Sequence, residues 1–209
     1  AAPDLTDPLV RVAQSLAAML RAGETIDTRI LRALFTSATG ASDANAGWSM
    51  RHAYDALELA QVLILADPAF PIDAHDPRAT LTRLVALTAA LPTQSVRSED
   101  QIALQQFSTP APLAFVAALA AGLRAGELVL EPSAGTGLLA WPAVRAGARL
   151  ALNEIDPRRR ACLIAAFPDA TISAHDAELL DDLLELRKRL VEWERGDPLT
   201  FRFEVRGWS

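Results

Sequence analysis

The 209-residue chain carries a formal net charge of −6, with 51% hydrophobic and 22% charged residues, the balance of a globular protein. That acidity argues against an autonomous, salt-driven grip on duplex DNA. The apolar run from Ala111 to Ala121 is too short to span a bilayer, no basic cleavable leader is present, and the lone Cys162 cannot form an internal disulfide, so we expect a cytoplasmic protein with no membrane partner.

From the N-terminus to about Leu91 the chain reads as helical. Asp7 offers a cap and Pro8 a first helical position, and Leu9, Val12, Leu16, Met19 and Leu20 then recur at helical spacing until Gly23. A second helix carries Ile30, Leu31, Leu34 and Phe35 and stops near Gly40. A third sets Met50, Tyr54, Leu57, Ala60 and Ile64 on one face before Pro68 and Pro71 break it, and a fourth runs from about Arg78 to Leu91. We therefore expect a helical subdomain over residues 1–91. A connecting loop follows over 92–109, within which Ser98-Glu99-Asp100-Gln101 offers a capping box.

Residues 110–209 alternate instead. A helix from Pro110 to Arg124 bears Leu113, Val116, Ala120 and Leu123 and ends at Gly126; Leu128 to Leu130 is a strand, and a glycine turn opens the next helix. Arg149 to Leu152 is a strand, Pro157 to Phe167 a helix, Ala170 to Ser173 a strand, and Ala177 to Trp193 a tail helix. Alternation of this kind makes an α/β protein, a parallel sheet with crossover helices whose ligands sit at the carboxyl ends of the strands. Glu131, Glu154 and Asp176 each follow one of the three strands.

The turn Glu131-Pro132-Ser133-Ala134-Gly135-Thr136-Gly137 carries the chemistry. Three ligand classes compete for a glycine turn after a strand. No Lys follows Gly137, which excludes a phosphate-cradling loop of the G-x-x-x-x-G-K-[ST] type. Gly135 to Ala140 reads as G-x-G-x-x-A with Glu154 placed 17 residues past Gly137, as in a dinucleotide site. Yet Glu131 puts an anion where a pyrophosphate needs N–H donors. S-adenosylmethionine, with no phosphate, a sulfonium and an amino group, suits the acid better.

Gln106-Phe107-Ser108-Thr109-Pro110, the E-P-S-A-G-T-G turn and Asn153-Glu154-Ile155-Asp156-Pro157 together resemble the cofactor half of amino-group DNA methyltransferases. With Leu91-Pro92-Thr93-Gln94, Arg97-Ser98-Glu99 and the Gln105 to Pro110 run, the chain is similar to the bacterial strawberry-notch-type proteins, in which a methyltransferase-like region precedes a superfamily 2 helicase. The similarity covers roughly residues 25 to 184 and is densest from Leu91 to Asp182. It implies a Rossmann-like class I methyltransferase sheet, whose completeness here is left open, behind an N-terminal all-helical subdomain. It also implies S-adenosylmethionine as cofactor, an adenine or cytosine amino group of nucleic acid as substrate through a partner domain, and a helicase domain or subunit as partner.

Glu154 suits both ribose hydroxyls, a bidentate task for a carboxylate. Asp176, beside Ala177, suits the adenine amino group or, alternatively, a helix cap; Ile155 and Leu138 offer apolar faces to the ring. Phe107, Ser108, Thr109 and Pro110 would close over the methionine end, with core packing the competing role for Phe107. The resemblance implies the same assignments at these positions and at Glu131, Pro132, Ser133, Ala134, Gly135 and Gly137.

Other residues carry less. Ser133 lacks the preceding glycine of a nucleophile elbow, and three scattered histidines specify no metal site. Arg158-Arg159-Arg160 reads as a solvated face, with nucleic-acid contact the alternative. The [DN]-P-P-[YFW] acceptor loop of amino-methylating enzymes is absent. Asp67-Pro68-Ala69-Phe70 has only its ends and precedes the turn, and Asp197-Pro198-Leu199-Thr200 lacks the second proline and the aromatic. We assign no catalytic residue. Lost catalysis, an omitted stretch and a fragment all stay open, as do an enzyme, a silent cofactor-sensing or docking module and, distantly, an NAD-dependent oxidoreductase.

Overall fold

A computed structural model describes residues 6–45, 47–73, 75–92 and 108–179. Along it run α1 (Pro8–Arg21), α2 (Thr28–Thr39), a 3-10 turn (Asp43–Asn45), α3 (Met50–Leu65), α4 (Pro77–Ala89), α5 (Ala111–Ala121), β1 (Leu128–Glu131), α6 (Trp141–Arg145), β2 (Arg149–Asn153), α7 (Pro157–Ala166), β3 (Thr171–Ser173) and a closing 3-10 turn (Ala177–Leu179).

Side-chain caps start these helices where local chemistry requires. Asp7 accepts from the Leu9 amide at 2.8 Å, Asp27 from Ile30 at 2.9 Å, and Asp76 from Ala79 at 3.0 Å, each satisfying an orphan N–H of the first turn. Ser49 N–H donates to His52 Nδ1 at 2.9 Å, so a histidine fills the role usually taken by Glu or Gln in a capping box.

The three strands pair in parallel, in the order β1-β2-β3, with Leu128 opposite Arg149 and Ala151 opposite Thr171. The chain is thus of mixed helix and strand, with a small open parallel sheet of the α/β kind. Parallel neighbours need crossovers, supplied by α6 and α7. β2, flanked on both sides, buries Leu150, Ala151, Leu152 and Asn153, whereas all four residues of β1 stay half-buried.

α3 is the spine. Its residues Ala53, Ala56, Leu57, Leu59, Ala60, Val62, Ile64 and Leu65 are buried on several sides, more than the single stripe expected. The reason is its position: it packs on α1 and α2 on one side and on α6 and α7 on the other. One hydrophobic cluster runs from Leu9 and Leu16 through Phe35 and Leu59 to Trp141, Leu163 and Phe167, so the helices and the sheet share a core.

Two elements depart from expectation. Leu113, Val116 and Ala120 of α5 face outward, and the buried residues are Ala111, Ala114 and Phe115. A helix apolar on every side carries no periodic signal, and the Phe115 ring stacking 6.2 Å from Trp141 decides the face. The helix also ends at Gly122, left-handed at φ 61°, ahead of Gly126. The second departure is α6, which begins only at Trp141 and lasts five residues, so the glycine turn does not open directly into a helix. The expected capping box at Ser98 and the tail helix beyond Leu179 lie outside the described residues. Among the described residues no helix is long and apolar enough to cross a membrane.

Candidate functional site

The parallel sheet brings the ends of all three strands to one edge. There Ser108 and Thr109, the turn from Pro132 to Thr136, Leu138, Leu139, Asn153, Glu154, Ile155, Arg159 and the segment His175 to Glu178 enclose a cleft of about 570 Å³. Of the residues singled out in the sequence, it gathers Ser108, Thr109, Pro132, Ser133, Ala134, Gly135, Glu154, Ile155, Asp176 and Ala177. Pro110, Glu131 and Gly137 are not among its lining, and Phe107 lies outside the described residues.

Asn153, 1% exposed at the end of β2, builds the edge. Its Nδ2 donates to the carbonyls of Pro132 at 3.0 Å and His175 at 2.9 Å, and its Oδ1 accepts from Ser173 Oγ at 2.8 Å and His175 N at 2.9 Å. One amide therefore spends both protons and accepts two hydrogen bonds in tying the β1 turn to the β3 loop. Asp176 follows and plays two parts: it lines the cleft and accepts from Glu178 N at 3.1 Å, capping the last 3-10 turn.

Glu154 is held from both ends. Oε2 accepts from the Gly135 amide at 2.8 Å and Oε1 from the Asp156 amide at 2.8 Å. Glu131 folds back onto its own turn, accepting from Ser133 N at 3.2 Å; burial pushes its carboxyl up, against that hydrogen bond. Ile155 stands half exposed as an apolar surface beside Glu154.

The two glycines differ. Gly135, at φ +58°, has room for a Cβ, which would stand in ordinary van der Waals contact 3.6 Å from Arg159 Nη1. Gly137, at φ +98°, has none: a Cβ would fall 2.5 Å from Phe167 Cε2. Gly137 thus admits the α7 end into the core, a packing role, and only Gly135 leaves room toward the cleft.

Helix α3 supplies residues that the sequence reading passed over. Glu58 Oε2 accepts from Ser108 Oγ at 2.6 Å and from Thr136 Oγ1 at 2.7 Å. Asp55 accepts from Arg158 Nε at 2.8 Å and Arg159 Nε at 3.1 Å. The available signal was two acids one turn apart among the apolar residues Ala53, Ala56, Leu57, Leu59 and Ala60. Arg158 and Arg159 are consequently no solvated face: Arg159 is 3% exposed, and although burial opposes its charge, Asp55, Glu58 and Glu154 outweigh that and raise its pKa above the ordinary value. Arg160 donates to the Glu154 carbonyl at 3.0 Å.

Asp67-Pro68-Ala69-Phe70 sits elsewhere. Arg145 Nη1, at the end of α6 farthest from the cleft, donates to the carbonyls of Asp67 at 2.6 Å and Phe70 at 3.0 Å. Since α6 leads from the carboxyl end of β1 back to the start of β2, this loop lies at the opposite end of the sheet and cannot serve the cleft. Among the described residues no group of three or more His, Cys, Asp or Glu side chains is arranged to hold a metal ion. Comparison with known proteins gave no match, whether to a family model, a curated protein or a solved structure.

Proposed function

We propose that this cleft binds S-adenosylmethionine and that the chain is a methyltransferase-like domain acting on nucleic acid. One observation carries the choice of ligand: the Gly135 amide already donates to the Glu154 carboxylate. A pyrophosphate needs that N–H, the positive end of a helix and little negative charge nearby. Here the turn is not followed at once by a helix, and Glu154, Asp176 and Glu178 line the same cleft. Among the described residues the one guanidinium lining it, Arg159, is paired with Asp55. A neutral or cationic nucleoside fits this environment better than a dinucleotide.

Each oxygen of Glu154 retains a lone pair beyond the one given to a backbone amide, enough to accept from two ribose hydroxyls. Ile155 offers an apolar surface to the adenine, and Asp176 an acceptor for its amino group. The bound cofactor would supply an activated methyl group; these side chains bind and orient it. A Rossmann-like sheet of the class I methyltransferase kind, its strands ordered as here, is the reading that the cleft at the carboxyl ends supports.

The missing [DN]-P-P-[YFW] loop favours a second reading, a domain that binds the cofactor without transferring methyl groups and serves a helicase or another partner. Calorimetric titration separates these possibilities. S-adenosylmethionine is expected to bind and NAD not, and Glu154→Ala should cost about 1–3 kcal/mol, as when a buried charged hydrogen bond is lost. Equal affinity in wild type and variant would sink the ribose assignment. Labelled methyl transfer to mixed-sequence DNA or RNA then distinguishes enzyme from binding module.

A further inference from the structure

Ser108, before α5, and Thr136, in the glycine turn, belong to distant parts of the chain, yet their hydroxyls meet at one atom, Glu58 Oε2. Thr136 is 1% exposed and forms the floor beneath the turn, whereas Ser108 is half-buried at the wall of the cleft. A hydroxyl has one proton and two lone pairs. Once the Ser108 proton is committed to Glu58, the hydroxyl has only lone pairs left to present to a ligand. Thr136 donates to the same oxygen and holds the carboxylate in place, so the Ser108 proton stays directed at Glu58 and away from the cleft.

We infer that Glu58 is a positioning residue that fixes the Ser108 wall of the cleft as hydrogen-bond accepting, so that this wall takes an ammonium or other donor group and turns away phosphate and carboxylate. The inference rests on the cofactor reading and deepens it: the donor at this wall is the amino group of the methionine portion. The helices before residue 92 thereby set ligand specificity through a side chain that does not itself line the cleft.

Two probes that share an adenosine end test this. S-adenosylmethionine carries the amino group, and 5′-methylthioadenosine lacks the whole amino-acid portion. Calorimetry on the full chain should show Glu58→Gln weakening S-adenosylmethionine roughly tenfold or more, because a neutral amide can donate as well as accept and frees the serine hydroxyl to turn. Affinity for 5′-methylthioadenosine should stay within about twofold. Ser108→Ala, which leaves Glu58 and Thr136 in place, should give the same selective loss and serves if Glu58→Gln does not fold. Equal weakening of both ligands would make Glu58 a structural brace, and no weakening would remove it from the site; either result overturns the inference and leaves the cofactor reading standing. A wild-type chain that binds neither ligand overturns both.

Discussion

Asp55 of α3 and Arg159 of α7, 104 residues apart in the chain, form a buried ion pair at 3.1 Å in which neither side chain is more than 4% exposed. The second Asp55 oxygen accepts from Arg158 at 2.8 Å, and beside it Asp156 pairs with Arg51 at 2.7 Å. Charge is thus concentrated where the helices meet the crossover that frames the cleft.

Removing one member of such a network leaves a desolvated charge without its partner. Asp55→Ala should therefore destabilise the chain by about 3–5 kcal/mol in urea unfolding. Replacing Asp55 and Arg159 together by apolar residues of similar size should cost less than the single change. A loss well under 1 kcal/mol for Asp55→Ala would show that water reaches these arginines.

The two glycines of the turn should separate folding from binding. Gly137→Ala combines a positive φ with a clash against Phe167, itself 4% exposed, and we expect a loss of about 2–5 kcal/mol. Gly135→Ala meets no clash and should cost only about 1–2 kcal/mol for its left-handed backbone, while lowering affinity for S-adenosylmethionine. Thermal melts and titrations of the two variants read this directly.

Asn153→Asp keeps the shape of the side chain but turns two donors into acceptors facing the Pro132 and His175 carbonyls. A cost of about 1–3 kcal/mol follows, with faster hydrogen exchange at the His175 amide. Unchanged exchange at His175 would mean that the β3 loop is held by something else.

Titration should act in two directions. Burial, then the Arg158 charge, lowers the His52 pKa from 6.5, against Asp55 and its contact with Ser49. The unfolded chain then binds more protons, so wild type should lose stability relative to His52→Gln as pH falls below 6.5. Burial raises the Glu58 carboxyl from 4.5, reinforced by Asp55 and opposed by Arg159, Ser108 and Thr136. Here the folded chain binds more protons, and wild type should lose stability relative to Glu58→Gln as pH rises above 4.5. Urea midpoints measured across pH for the three proteins check both signs, and parallel curves would refute them.

Much was legible along the chain. Asp7 with Pro8, Gly40 as a helix end, and the alternation that places Glu131 at the end of the first strand and Glu154 and Asp176 beyond the next two all follow from interactions among residues a few positions apart, which sequence spacing records directly. The parallel pairing followed too, because strands joined through helices cannot pair as hairpins.

Tertiary packing decided the rest. Which side of α5 is buried depends on Phe115 finding Trp141, and a uniformly apolar helix does not announce its face. Whether Gly137 makes room for a ligand or for a neighbour depends on Phe167, 30 positions later. Arg158 and Arg159 look like a surface run until Asp55 reaches them from α3, and Glu58 gains a role only when Ser108 and Thr136 converge on it. Local periodicity settles which residues form each element and which way the chain turns. The partner of a buried charge is chosen by chain segments 50 to 104 residues away, whose approach is set by how the whole core closes.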